Sequence, residues 1–177
     1  MENIHEDTVS KKYYDEMAKF YENFVDTKAW NAYYERPAVI SLLPKEIKKI
    51  KIMDLGCAGG WYTKYLLDNG SDVMAIDVNE NMIEVTKTRT QNQCKVIQAD
   101  IINGFDFIEN GHFDIILASL VLHYIKELNK AFNEINRVLK MKIRLWLKVV
   151  AYAGIIKSRA YFYTGSRYVL YYSDRDK

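Results

Sequence analysis

The sequence is short of cysteine, has no long apolar run and carries no dominant charge, and each shortage removes a class of protein. Its two cysteines, Cys57 and Cys94, have neither metal-like spacing nor the density of a disulfide framework. A reduced, cytoplasmic protein without a metal site is therefore expected. No stretch approaches the roughly 20 apolar residues that cross a bilayer, so stable membrane insertion is not expected. The opening MENIHEDTVSKK is polar and acidic, unlike a secretory leader. A formal net charge of +2 argues against a nucleic-acid footprint. Internal repeats and low-complexity linkers are also missing. What remains is a chain of 177 residues, 49% hydrophobic, long enough for one domain with a sizeable core.

The chain is organised around residues 51–60, KIMDLGCAGG. A short apolar strand over 52–55 runs into Gly56, a turn of small residues and the pair Gly59-Gly60. WYTKYLLDNG then reads as a helix to about Leu67, with Asn69-Gly70 as its stop. Glycine tolerates positive φ and lacks a Cβ, so such a turn brings backbone close to a ligand and can expose N–H groups to it. The helix N-terminus adds partial positive charge at the same place. The turn is read as a nucleotide-type cofactor site.

Ahead of it, residues 8–26 carry Tyr13, Met17, Phe20, Tyr21 and Phe24 at spacings of three and four, one face of an amphipathic helix. A second helix is expected over 30–43, with Pro37 near its start and Pro44 beyond its end. Behind the turn, DVMAID (72–77) is a short buried-type strand. A helix follows over 80–89 with Asn79 as N-cap, then a strand over 94–98. FDIILAS (113–119) is apolar almost throughout and fits a central parallel strand. LNKAFNEINRVL (128–139) is an amphipathic helix. Strands alternating with helices predict an α/β fold, a doubly wound, mostly parallel Rossmann-like sheet with helices on both faces. Three regions are expected: an N-terminal helical lid (1–45), a cofactor-binding core (46–150) and an atypical basic, aromatic tail (151–177).

Acids fall where ligands of such sheets bind, beyond the carboxyl ends of the strands. Asp77 ends the second strand, and its carboxylate suits the hydroxyls of a ribose while repelling a 2′-phosphate. Asp100 follows the third strand and suits an exocyclic amine such as adenine N6. Met82 can pack on an adenine face. Asp54 lies on the first strand, where a dinucleotide fold brings a pyrophosphate. An anion there disfavours NAD and favours a ligand with a cationic, amino-acid-like end.

With these residues in place, the chain resembles the class I S-adenosylmethionine-dependent methyltransferases of the small-molecule, type 11 kind. The likeness rests on DLGCAGG (54–60), AID (75–77), the Asn81-Met82 step, QAD (98–100), FDIILASLVLHYI (113–125) and NEINRVLK, with YYDEMAKFY near the start resembling the lid helix. It covers about residues 13–140. Ala58 stands where many members have glycine. The resemblance implies S-adenosylmethionine as cofactor and a small molecule as methyl acceptor. It implies that Gly56, Ala58 and Gly60 line the methionine part, with Asp54 at its amino group. Asp77 and the neighbouring Val78 would meet the ribose edge, Met82 and Ile101 would flank adenine, and Asp100 would meet its amine. Ser119 and Leu120 would sit near the sulfonium, Tyr14 and Tyr21 would close as lid contacts, and Arg36 would meet a carboxylate. The family reaction is in-line transfer of a methyl group to O, N or C, for which positioning does most of the work.

His123, after the fourth strand, is the one candidate base, against the alternative of a histidine packing on or capping the next helix. Beyond Lys140 the resemblance is expected to stop. Residues 140–177 carry a balance of +7, against −5 for 1–139. A fifth strand over 143–150 and a hairpin over 159–172, turning at Thr164-Gly165-Ser166, are expected. The tail reads as a shortened but functional end, as a basic surface for acidic partners or headgroups, or as the altered end of a truncated methyltransferase. The last of these would leave the C-terminal part of the sheet incomplete and would make the chain a cofactor-binding domain without turnover.

Overall fold

Short apolar strands separated by helices assemble here into one parallel sheet. The computed structural model describes residue 26, residues 28–140 and three later strand segments. Strands β1 (Lys51–Leu55), β2 (Asp72–Asp77), β3 (Lys95–Gln98) and β4 (Ile115–Leu117) lie in the order β3-β2-β1-β4. All three pairings are parallel, with Met53 opposite Met74 and Asp54 opposite Leu117. The chain steps outward from β1 to β3, then returns to the far side of β1. The winding reverses between β1 and β4, and in open α/β sheets that reversal opens the ligand crevice beyond the strand ends.

Alternation along the strands divides the core in two. Ile52, Val73, Ile115 and Leu117 pack with Leu66 of α2 (Trp61–Asp68) and with Val39 and Ile47. Met53, Leu55, Ile76 and Ile116 point to the other face, against Ala131, Ile135 and Val138 of α4 (Leu128–Val138). Helix α3 (Glu80–Thr90) lies beside α2, where Thr86 abuts Gly60. Its start is set by Asn79, whose side-chain oxygen accepts from the Met82 N–H at 3.1 Å.

The N-terminal part enters through a π-helical turn, Asn31–Glu35, that runs into α1 (Arg36–Ile40) with Pro37 in its first turn. The helix expected over 30–43 is thus shorter. Leu42 and Leu43 bond back three residues, to the carbonyls of Val39 and Ile40. That tightening ends the helix ahead of Pro44, which disfavours α geometry at Leu43. The helix expected over 8–26 lies outside the described residues apart from Asp26.

Two other expectations change. The central strand foreseen over 113–119 is confined to Ile115–Leu117, and Phe113 forms an isolated parallel bridge with Leu139. The strand foreseen over 143–150 survives as β5 (Leu147–Lys148), but it does not extend the main sheet. It pairs in parallel with β7 (Val169–Ser173), and β7 pairs antiparallel with β6 (Arg159–Phe162), giving a second sheet of order β5-β7-β6. The β6–β7 pairing is the expected hairpin, with Phe162 opposite Leu170; its tip lies outside the described residues. Among the described residues no helix is long and apolar enough to cross a membrane.

Candidate cofactor site

The turn after β1 is held from β2 and α3 rather than left open. The N–H groups of Gly56 and Cys57 both donate to the Ile76 carbonyl, at 2.8 and 3.0 Å. Ala58 N–H donates to Asp77 Oδ2 at 2.9 Å, and the Ala58 carbonyl accepts from the Thr86 hydroxyl at 2.7 Å. Gly60 N–H donates to the Cys57 carbonyl. The sequence suggests a turn whose N–H groups face a ligand, but these four face the protein. Both glycines are demanded by geometry. Gly56 has φ +72°, and a Cβ there would lie 2.5 Å from Val121; Gly60 has φ +74°, and a Cβ would lie 2.8 Å from Thr86. Ala58 also sits in the left-handed region, at φ +47°, which explains why glycine suits that position.

Asp54 lies under this turn, buried on the α2 side of β1. Gly60, the N-cap of α2, has no side chain to cap with, and Asp54 takes over that task from the strand. It accepts from the Thr63 hydroxyl at 2.6 Å and from the Thr63 backbone N–H. Burial raises its pKa to about 7, against the lowering effect of the Thr63 bond and with a further push from Asp77. Among the described residues no cation pairs with it.

Asp77 is half-buried at the end of β2. Its oxygens accept from Ala58 N–H and Asn79 N–H, both at 2.9 Å. Burial still outweighs those bonds and raises its pKa. The carboxylate also accepts from the Val78 N–H and keeps lone-pair capacity for a ligand hydroxyl. Asp100 is exposed beyond β3, with one oxygen accepting from Ile102 N–H. Val78 is 56% exposed on the same edge, whereas Met82 and Ile101, expected to flank a base, are 1% and 5% exposed. Val78 and Asp100 thus stand exposed at this edge, while Met82 and Ile101 are buried.

On the other side of the crevice, extending the β1–β4 register places Ser119 opposite Gly56. Leu120 follows in the left-handed region at φ +52°. His123 belongs to a 3-10 turn, Leu122–Tyr124, but its side chain lies outside the described residues, as do Tyr14 and Tyr21. Arg36 is buried and already engaged: Asp26 accepts from its guanidinium at 2.7 Å, and the Trp61 ring lies 4.1 Å from it. To meet a ligand carboxylate it would have to leave Asp26. Sequence reasoning passes over two neighbours, Glu35 and Tyr62. Buried Glu35 accepts from the Tyr62 hydroxyl at 2.7 Å and from the Ser119 hydroxyl at 2.5 Å. The available signal was its position four residues before Val39, on the face of the helix that carries core residues.

Chemically, the edge offers acceptors. Asp77 ends β2, Asp100 follows β3 and Asp54 lies buried within β1, one residue before its end, while the N–H groups of Gly56, Cys57, Ala58 and Gly60 are engaged within the protein. That set fits a ligand rich in donors, with an ammonium, a vicinal diol and an exocyclic amine, and it does not fit a pyrophosphate. S-adenosylmethionine carries those groups. Fold and edge together define an α/β domain of the S-adenosylmethionine-dependent methyltransferase class.

Comparison with known proteins gives the same class. The chain belongs to the methyltransferase-domain family, whose model matches residues 53–146, past the Lys140 limit expected from the sequence. It is 30% identical over 139 residues to a demethylmenaquinone methyltransferase of Leptospira interrogans, covering 72% of this chain and 54% of that protein. It is 24% identical to a ubiquinone biosynthesis O-methyltransferase of Pelagibacter ubique, covering 71% and 52%. Among solved structures, an S-adenosylmethionine-dependent methyltransferase of Mesorhizobium loti aligns at a TM-score of 0.57 and 26% identity, over 62% of this chain and 50% of that one. The chain spans about half the length of the curated relatives it matches.

Proposed function

We propose that this protein binds S-adenosylmethionine along the carboxyl edge of β1–β3 and transfers its methyl group to a small-molecule acceptor held over the β1–β4 crevice. The observation that carries the reading is the row of carboxylates Asp54, Asp77 and Asp100 beside a turn whose N–H groups are engaged internally. In this reading Asp54 receives the cofactor's ammonium, directly or through water. Asp77 holds the ribose hydroxyls, already oriented by backbone donors. Asp100 meets the adenine amine, with Val78 beside the ring and Met82 and Ile101 under it. Gly56, Ala58 and Gly60 bring the backbone against the methionine part, and Ser119 and Leu120 border the sulfonium. Bound cofactor supplies an electrophilic methyl on a cationic sulfur; the protein contributes position and exclusion of water. Two relatives bear the names demethylmenaquinone methyltransferase and ubiquinone biosynthesis O-methyltransferase, which supports a small, ring-bearing acceptor for this chain too.

Calorimetric titration with S-adenosylmethionine, S-adenosylhomocysteine and NAD tests the cofactor assignment. Micromolar binding of the first two and none of the third is expected, with binding lost in Asp77→Ala while the melting transition stays cooperative. A folded protein that binds neither, or that prefers NAD, overturns the reading.

A further inference from the structure

Glu35 is a buried carboxylate to which cofactor binding assigns no task. Three elements converge on it: the π-helical turn that carries it, the first turn of α2 through Tyr62, and the chain just beyond β4 through Ser119. Only 4% of Glu35 is exposed, and no salt bridge reaches it among the described residues. The adjacent Arg36 is bonded to Asp26 and stacked on Trp61 instead. A buried carboxylate held, among the described residues, by two hydroxyls is a costly arrangement if its only task is packing.

The direction of the hydrogen bonds is informative. Both hydroxyls donate to the same oxygen, Glu35 Oε1. Burial first, and Glu35 second, push the Tyr62 phenol well above its ordinary range, so it stays a donor. Ser119 is half-buried. With its proton turned onto Glu35, its oxygen can offer the crevice only lone pairs. The crevice side of this cluster therefore accepts a hydrogen bond and does not donate one.

We propose that Glu35, acting through Ser119, is the proton acceptor of the methyl-acceptor site, and that the site takes neutral or cationic acceptors bearing an O–H or N–H and rejects carboxylates and phosphates. The proposal rests on the methyltransferase reading above. In the step, the acceptor's O–H or N–H bond breaks as its oxygen or nitrogen bonds to the methyl carbon. The electron pair of the old sulfur–carbon bond stays on sulfur, which becomes a neutral thioether. The acceptor's proton passes to Ser119 Oγ as the Ser119 proton passes to Glu35, which ends neutral. Tyr62 is a positioning residue that donates to the same Glu35 oxygen and lies beside the Ser119 hydroxyl.

The test needs no knowledge of the natural acceptor. Sinefungin, a cofactor analogue with a C–NH3+ group in place of the S–CH3 group, presents N–H donors where the acceptor would meet the methyl. Its affinity and that of S-adenosylhomocysteine are measured by calorimetry on the full chain and on Glu35→Gln and Ser119→Ala, with melting curves as a fold control. The wild type should bind sinefungin at least tenfold more tightly than S-adenosylhomocysteine. Each variant should bring that ratio below threefold by weakening sinefungin more than S-adenosylhomocysteine. An unchanged ratio in the variants, or an equal weakening of both ligands, would show a mere strut and overturn the proposal. Ser119→Ala removes one half-buried hydroxyl and keeps the test alive if Glu35→Gln does not fold. A wild type that binds neither ligand sinks the methyltransferase reading itself; one that binds both equally sinks only the role of Glu35.

Discussion

At the residue scale, Asp54 has two tasks that pull in opposite directions. It caps α2 through Thr63, and in the proposed function it would also receive an ammonium, at a buried position that no cation shares among the described residues. Because its folded pKa is raised to about 7, the native protein holds a proton that the unfolded chain releases near pH 4. The associated stability is therefore complete below about pH 4 and is lost as pH rises towards 7. Urea denaturation of the ligand-free protein should show stability falling between about pH 4 and 7 by a few kcal/mol more than in Asp54→Asn. An ammonium favours the ionised carboxylate, so S-adenosylmethionine affinity should rise with pH through 7, and the rise should flatten in Asp54→Asn. Ala58 gives a second residue-level expectation. It holds φ +47° with a Cβ, and Ala58→Gly should stabilise the protein by about 0.5 kcal/mol, read as a shift in the urea midpoint. The sequence shows Asp54 as an anion in an unusual place, but not its tie to Thr63. That tie joins a strand to a helix across the sheet face, and spacing along the chain carries no record of it.

At the element scale, strands and helices were readable wherever a single face decides them. β1, β2, α3 and α4 follow their patterns because period 2 or 3.6 is enforced by burial. The ends are less readable, because tertiary contacts trim them. β4 shrinks to three residues once Phe113 bridges to Leu139, and α1 stops where i→i−3 bonds precede Pro44. Glu35 escapes a sequence reading for a related reason: its partners come from α2 and from beyond β4, and an acid next to an arginine looks like a solvated pair. Asn79, by contrast, announces itself as a cap. Asn79→Ala should cost about 1 kcal/mol of stability in denaturant titration, with a larger loss of cofactor affinity than of stability. The Asn79 backbone N–H also orients Asp77, and releasing the start of α3 loosens that contact.

At the scale of the whole molecule, Asp26 links the entry of the chain to the core. It bonds Arg36 at 2.7 Å and Arg89, in the last turn of α3, also at 2.7 Å. Both arginines are largely buried and Asp26 is part-exposed, so Asp26→Asn should cost about 2 kcal/mol, measured by thermal or urea unfolding. The doubly wound parallel sheet was legible because alternating strands and helices permit few other windings, whereas its β3-β2-β1-β4 order came from the structure. The separate β5-β7-β6 sheet was not legible, since nothing in a short strand such as Leu147–Lys148 names its partner. The inward-turned N–H groups of the glycine turn have a consequence for life in a mixture of metabolites. A pocket that offers carboxylates and turns four of its backbone donors inward would sort ligands by the sign of their charge before it reads their shape. ATP and other phosphorylated adenosines share the ribose and base with the proposed cofactor, yet they bring anions to a place already anionic. They would be turned away by repulsion, so the protein can read an adenosine without being occupied by the nucleotides that share it.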